Sequence, residues 1–216
     1  MQLIGLAAWG YAAICAFWGI KMGTVSEKTV RLSAFVLLIG SMSVTSTLVW
    51  LSGLDVLRTI LPLHLCSACA VLCLFFYLKP LRRLFQFLYY IGLPGAALAL
   101  CFPAVAVSRY QAAMDACFFL THALIVFAPL LRMVCGERPD PRSALPCWGV
   151  LVGFAALVYT ANHLLGANYL FLMAAPPGTP LEWLWAFWKN RYYAVLAALS
   201  LGVVLLQKRF AAHLKK

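Results

Sequence analysis

Cys66 and His122 are the two residues whose chemistry suits covalent catalysis. A thiol attacks an acyl carbon when a nearby imidazole takes up its proton. On a regular helix of 3.6 residues per turn, His64 projects roughly 200° away from Cys66. The base must therefore come from another helix, and His122 is the candidate, with His64 expected to orient the base or the substrate carbonyl.

Two other interpretations of these side chains stay open. Cys66, Cys69 and Cys73 form a stripe on one helix face, where thiols also serve as small packing residues. A cluster of hydroxyl side chains offers other nucleophiles beside His122, although hydroxyls in membrane helices commonly join neighbouring helices. This cluster comprises Ser41, Ser43, Thr45, Ser46 and Thr47.

These residues lie in a strongly apolar chain. Of its 216 residues, 64% are apolar and 11% charged, a composition typical of polytopic membrane proteins. A transmembrane helix needs about 20 mainly apolar residues, and seven such spans are predicted, at 2–20, 32–53, 59–78, 84–102, 114–134, 146–165 and 190–207. The sequence therefore predicts an all-α, seven-helix transmembrane bundle, with residues 1–216 as one transmembrane domain.

Positive charge is concentrated in alternate loops, and this pattern predicts the orientation of the bundle. Basic residues follow the first, third, fifth and seventh spans, at positions that include Lys21, Lys79, Arg138 and Lys216, whereas the other loops hold only Arg58, Arg109, Lys189 and Arg191. Cytoplasmic loops carry such an excess, so the N-terminus is predicted outside and the C-terminus in the cytoplasm of a multi-pass cell-membrane protein. The net charge of +11 therefore reflects topology, and the expected partners are membrane lipids rather than nucleic acid. The sequence leaves the oligomeric state open.

Three histidines fall within predicted spans, at a similar depth in the outer half of the bilayer: His64, His122 and His163. Ionisable groups in hydrocarbon are costly and commonly mark a site or pathway. Helical spacing puts His163 on one polar face with Tyr159, Asn162 and Gly166. A lone buried histidine also commonly just hydrogen-bonds a neighbouring helix, and three imidazoles could instead line a transport cavity or bind a metal. No buried carboxylate accompanies them and no cofactor motif is present, so neither metal nor cofactor is predicted.

Two local features complete the pattern. Gly92, Pro94 and Gly95 predict an interruption in the fourth span, because proline lacks an N–H and frees a backbone carbonyl. The long outer connection at 168–190 is rich in tryptophan, which favours the headgroup interface. We expect this connection to lie on the membrane and partly cover an outward-facing cavity.

The order of three segments resembles a known family. These are Leu-Pro-Leu-His-Leu-Cys at 61–66, Phe-Phe-Leu-Thr-His at 118–122, and Asn162 followed by Asn-Tyr-Leu-Phe-Leu at 168–172. They resemble the YwaF-like bacterial integral membrane proteins, from the second span to the seventh. That family is similar to eukaryotic transmembrane protein 164, described as a phospholipid acyltransferase, and more distantly to the androgen-induced-gene lipid hydrolases, which use a threonine and a histidine.

The resemblance implies acyl-lipid chemistry. We therefore predict an intramembrane enzyme that transfers or hydrolyses acyl esters of phospholipids, with His122, Cys66 and His64 as catalytic residues. The predicted substrate contacts are Asn162, His163, Asn168 and Tyr169. The alternative is a transporter, or a lipid- or metal-binding membrane protein, with a histidine-lined cavity.

Overall fold

The computed structural model describes residues 2–55, 59–105 and 107–214, which are helical and contain no strand. The helices are α1 (Gln2–Lys21), α2 (Glu27–Leu51), α3 (Leu65–Leu78), α4 (Arg82–Cys101), α5 (Gln111–Val134), α6 (Ala144–Leu165), α7 (Leu181–Trp188) and α8 (Tyr192–Leu214). Short 3₁₀ turns lie at Pro141–Ser143, Tyr169–Phe171 and Lys189–Arg191.

Five helices in the described residues are long and apolar enough to cross a membrane. They are α2, α4, α5, α6 with its preceding turn, and α8. The prediction of an all-helical membrane protein is confirmed, and each predicted span coincides with a helix. The count of seven crossings stays a prediction, since α1 is not among these five helices and α3 has only 14 residues. Arg58, Lys215 and Lys216, which contribute to the predicted charge asymmetry, lie outside the described residues.

The third predicted span, 59–78, is not one continuous helix. Residues 61–64 form a turn, and α3 begins only at Leu65. Pro62 disfavours helical backbone at the residue before it, and His64 is extended, with φ −75° and ψ 144°. His64 therefore lies at the entrance of α3, so the angle between His64 and Cys66 expected on a regular helix does not apply.

Helix α4 lies at the centre of the packing. One buried cluster joins it to α2, α3 and α5, and includes Leu38, Cys69, Phe76, Leu88 and Ile125. A second cluster joins α4 to α6 and α8, and includes Tyr90, Ile91, Cys147, Val204 and Ala211. Because α4 contributes to both clusters, its geometry determines how the two halves of the bundle meet.

The interruption predicted in α4 takes the form of a π-helical segment at Leu88–Gly92. The N–H of Leu93 donates to the carbonyl of Leu88, five residues earlier. Pro94 has no N–H to give to Tyr89, so the Tyr89 carbonyl needs another donor. Gln207 of α8 supplies it through Nε2, at 2.9 Å. This side chain ties α8 to α4 at the point where the backbone ladder is broken.

Ion pairs and hydrogen bonds fasten the end of the bundle that carries most of the basic residues. Glu27 at the start of α2 pairs with Arg132 of α5 at 2.6 Å and with Arg31 at 3.3 Å. Arg132 also pairs with Glu137 at 2.9 Å. Arg31 donates to the carbonyl of Tyr77, near the end of α3, at 2.9 Å. These contacts hold α2, α3 and α5 together.

Replacing Glu27 by Gln is expected to lower the free energy of unfolding by about 1–3 kcal/mol, since Arg31 and Arg132 lose a partly buried carboxylate. Thermal unfolding in detergent, followed by circular dichroism, measures the change. Lys28→Gln is the matched control, because Lys28 is exposed on the same turn. Equal unfolding temperatures for the two variants would contradict a stabilising role for this network.

Candidate functional site

The candidate site is built around a clamped turn at residues 166–174, which we call the aromatic turn. Asn162, near the end of α6, is 1% exposed. Its Nδ2 donates to the carbonyl of Tyr169 at 2.9 Å, and its Oδ1 accepts from the Tyr169 N–H at 2.7 Å. Asn162 thus supplies both hydrogen-bonding groups that the buried Tyr169 backbone requires.

Asn168 closes the other side of the aromatic turn. Its Oδ1 accepts from the N–H groups of Met173 and Ala174 at 2.9 and 3.2 Å, and its Nδ2 donates to the Ala174 carbonyl at 2.8 Å. Both predicted substrate contacts, Asn162 and Asn168, therefore make backbone hydrogen bonds within the protein. These hydrogen bonds shape the site. A lipid headgroup could bind either side chain only by displacing them.

The hydrogen bonds hold a strained backbone. Leu170 and Phe171 have φ of 56° and 53°, in the left-handed region that costs an L-residue roughly 1–2 kcal/mol each. Two consecutive apolar residues in this conformation persist only when their surroundings fix them, and such strain clusters at functional sites. The aromatic turn is therefore a rigid element.

The aromatic turn presents two rings to His64. The ring centroid of His64 lies 5.2 Å from that of Tyr169, edge to face, and 5.4 Å from that of Phe171. Tyr169 is itself 1% exposed. The structure thus brings together three predicted site residues, His64, Asn162 and Tyr169, at the entrance of α3.

His122 lies on α5 and is 7% exposed. Its Nδ1 is 2.7 Å from the carbonyl of Phe118, and its ring packs on the Phe118 ring with centroids 4.0 Å apart. A carbonyl oxygen only accepts hydrogen bonds, so Nδ1 carries the proton of the neutral ring. The Nε2 lone pair is then available to accept a proton.

Cys66 is the second residue of α3. Its partly buried side chain packs against the buried cluster that joins α2, α3, α4 and α5. The helix has no side-chain cap from His64, the residue before its first turn. The N–H groups of the first turn of a helix have no partner within it, and they give this end of the helix a partial positive charge.

The described residues contain no hydrogen bond between His122 and either Cys66 or a hydroxyl of α2. Ser41 instead joins α2 to α5: its hydroxyl donates to the Cys117 carbonyl at 3.0 Å and lies 2.8 Å from the Thr121 hydroxyl. Thr45, Ser46 and Thr47 each donate to the carbonyl four residues earlier on α2. Ser41 therefore supports the helix-joining interpretation, whereas Thr45, Ser46 and Thr47 bond within α2.

His163 is separated from the other histidines. It is exposed and packs edge to face on Tyr159, with centroids 4.6 Å apart, while the neighbouring Asn162 points inward. The expected shared polar face of Asn162 and His163 is wrong, because adjacent residues on a helix differ by about 100°. Among the described residues, no three His, Cys, Asp or Glu side chains are placed to hold a metal ion.

Sequence reasoning missed Phe118 and Phe171, the aromatic partners of His122 and His64. Phe118 was detectable, since it lies four residues before His122 and therefore on the same helix face. Phe171 gave no such signal, because it reaches His64 through a left-handed turn that leucine and phenylalanine rarely adopt.

The long apolar helices define the chain as an integral membrane protein. The model of the TMEM164 family matches residues 2–207, and the chain belongs to that family. The predicted relation to transmembrane protein 164 is thereby confirmed, whereas the resemblance to the YwaF-like bacterial proteins stays a prediction. Neither the comparison with curated proteins nor that with solved structures finds a match.

Replacing Asn162 by Leu is expected to lower the free energy of unfolding by about 2 kcal/mol, because the Tyr169 N–H and carbonyl would lose the acceptor and donor at 2.7 and 2.9 Å that Asn162 supplies. Detergent unfolding curves measure the loss. His163→Leu, at the exposed neighbouring position, is the control and should unfold like wild type. Equal stability of Asn162→Leu and wild type would mean that the aromatic turn does not depend on this clamp.

Proposed function

We propose that this protein is an intramembrane enzyme that transfers acyl chains between phospholipids, or hydrolyses their acyl esters, through a thioester on Cys66. The observation that carries the proposal is the position of Cys66 in the first turn of α3. Helix N-termini favour thiolates and stabilise the oxyanion that forms when an acyl carbonyl is attacked. The N–H groups of Leu65, Cys66 and Ser67 are the proposed oxyanion donors.

His122 is the proposed general base. Its Nδ1–H is held by the Phe118 carbonyl at 2.7 Å, which fixes both the tautomer and the ring orientation. The Nε2 atom then accepts the Cys66 proton and later returns it. Hydrogen bonds between catalytic groups often tighten only when substrate binds, so a complex is expected to bring Nε2 and the thiol together.

The reaction has two balanced steps. Cys66 Sγ attacks the ester carbonyl carbon of a phospholipid and gives its proton to His122, the ester C–O bond breaks, and the released lysophospholipid oxygen takes that proton. The hydroxyl of a second lysophospholipid, or water, then gives its proton to His122 and attacks the thioester carbon. The C–S bond breaks, the Cys66 sulfur takes the proton from His122, and a phospholipid or a free fatty acid leaves. Transfer and hydrolysis differ only in this acceptor.

His64 and the aromatic turn complete the proposed site. His64 lies at the same helix entrance as Cys66 and is packed between Tyr169 and Phe171, so it would orient the substrate carbonyl. Asn162 and Asn168 would act by fixing the turn. His163 faces outward beside Tyr159 and would contact lipid. This arrangement lies at the end of the bundle opposite the Glu27 network.

We further propose seven crossings of the cell membrane, with the site in the outer half of the bilayer. Basic residues cluster at the other end of the bundle, where Arg31 and Arg132 are paired. Such a cluster marks the cytoplasmic side. The 14-residue α3 would begin below the outer surface, since a turn at residues 61–64 precedes it.

The enzymatic proposal is tested with purified protein and a phospholipid mixture, with lipids and intact protein measured by mass spectrometry. Wild type should release or exchange acyl chains and carry a hydroxylamine-sensitive acyl adduct. Cys66→Ala should be inactive, and His122→Ala should turn over about 10²–10⁴-fold more slowly because the base is lost.

Cys117→Ala is the matched control, since Cys117 is also free and of intermediate burial. It should remain active. An unchanged lipid mixture with folded wild type would contradict the enzyme and favour lipid binding or transport. Full activity of Cys66→Ala would contradict the thioester and leave the hydroxyls of α2 as nucleophiles.

The orientation is tested in intact cells with an impermeant maleimide. Val107→Cys should be labelled above the wild-type background, because it lies in an exposed turn at the site end of the bundle. Arg83→Cys, exposed at the basic end, should be labelled only after permeabilisation. The reverse pattern would place the site at the cytoplasmic face.

A further inference from the structure

The entrance of α3 holds a second thiol close to Cys66. Cys66 and Cys69 are separated by Ser67 and Ala68, and residues three apart share a helix face. The first helical hydrogen bond runs from the Ala68 N–H to the His64 carbonyl at 2.9 Å. The pair therefore spans the first and second turns of α3. Cys-x-x-Cys pairs and helix N-termini are both settings of redox-active cysteines.

The two thiols differ in accessibility. Cys66 is partly exposed, whereas Cys69 is 1% exposed, and both are free. The Cys69 Sγ lies against Gly92 of α4, 3.5 Å from where a Cβ on that glycine would stand. An oxidant that enters from the site would reach Cys66 first. Cys69 would then be the resolving thiol behind it.

Helix geometry favours a disulfide between Cys66 and Cys69 over one between Cys69 and Cys73. Residues three or four apart have Cβ atoms about 5–6 Å apart, and a disulfide requires about 3.5–4.5 Å. Formation of the disulfide therefore requires the two Cβ atoms to approach each other by about 1–2 Å. The first turn of a helix can supply it because its N–H groups carry no intrahelical bonds. Cys69 and Cys73 lie further inside α3, where closure would break the regular ladder.

We propose that Cys66 and Cys69 are a modification site, a dithiol that a hydroperoxide converts into a reversible disulfide. The Cys66 thiol, with His122 accepting its proton, attacks the hydroperoxide: an S–O bond forms, the O–O bond breaks, and the proton leaves with the alcohol. The Cys69 thiol then attacks the Cys66 sulfur, forming the S–S bond and releasing water. Two thiols and one hydroperoxide give one disulfide, one alcohol and one water.

The consequence for activity rests on the proposed function. A disulfide would remove the Cys66 nucleophile, so acyl transfer would stop until an external dithiol returns two electrons. The disulfide would also protect Cys66 from sulfinic acid, which thiols do not reduce. The chemical modification itself can be read out without any acyl-transfer activity.

The test is differential alkylation of the purified full-length protein treated with hydrogen peroxide. Free thiols are blocked with N-ethylmaleimide, disulfides are reduced with dithiothreitol, and the released thiols are labelled with iodoacetamide. Peptide mass spectrometry should find iodoacetamide on Cys66 and Cys69 and N-ethylmaleimide on Cys73. Where wild type is active, peroxide should lower turnover to the level of Cys66→Ala, and dithiothreitol should restore it.

Cys69→Ser is the diagnostic variant and Cys73→Ser the matched control on the same helix. Peroxide should convert Cys66 of Cys69→Ser to sulfinic acid, irreversibly, while Cys73→Ser should behave like wild type. If Cys69→Ser does not fold, Cys69→Ala takes its place. Cys66 left reduced, pairing of Cys66 with another cysteine, or sulfinic acid in wild type would overturn the proposal. Failure of acyl transfer with a clean Cys66–Cys69 bridge would instead count against the proposed function alone.

Discussion

The structure depends on one constraint: a backbone carbonyl or N–H away from water needs a partner inside the protein. Regular helix supplies that partner almost everywhere, and the exceptions are where side chains of other helices intervene. Gln207 serves the Tyr89 carbonyl beside Pro94, and Asn162 serves both groups of Tyr169. The break in α4 is thus also a link between α4 and α8, and the break after α6 is held by a residue of α6 itself.

The same constraint shapes the candidate site. The chain leaves helix at the entrance of α3 and again after α6, and the two irregular segments meet, with His64 packed between Tyr169 and Phe171. The left-handed Leu170 and Phe171 cost energy, which the hydrogen bonds of Asn162 and Asn168 offset. The result is a candidate site in which the first turn of α3 follows a histidine that packs on two aromatic rings.

The sequence could predict the helices because their apolar length is itself the signal, and Pro94 predicts the break in α4 because proline lacks a donor. Pro62 also carried a signal for the late start of α3 that the apolar run concealed. The aromatic turn could not be predicted, since Leu170 and Phe171 give no sign of left-handed backbone. Asn162 and His163 looked equivalent in an apolar helix, and only tertiary packing distinguishes the buried residue from the exposed one.

The two proposals give Cys66, at the entrance of α3, two chemical fates. In each of them the Cys66 sulfur attacks beside helix N–H groups that stabilise negative charge, and the target is either an acyl carbon or a hydroperoxide. His122, with its Nδ1–H held by Phe118, would accept the proton in both proposed reactions. The two proposed reactions differ in the molecule that meets Cys66. A lipid ester would form a thioester, whereas a hydroperoxide would lead to a disulfide with Cys69. The Cys69 thiol lies behind Cys66 against Gly92, a residue that bears no side chain, and this close packing of α3 on α4 keeps the resolving thiol near without placing it in the substrate's path.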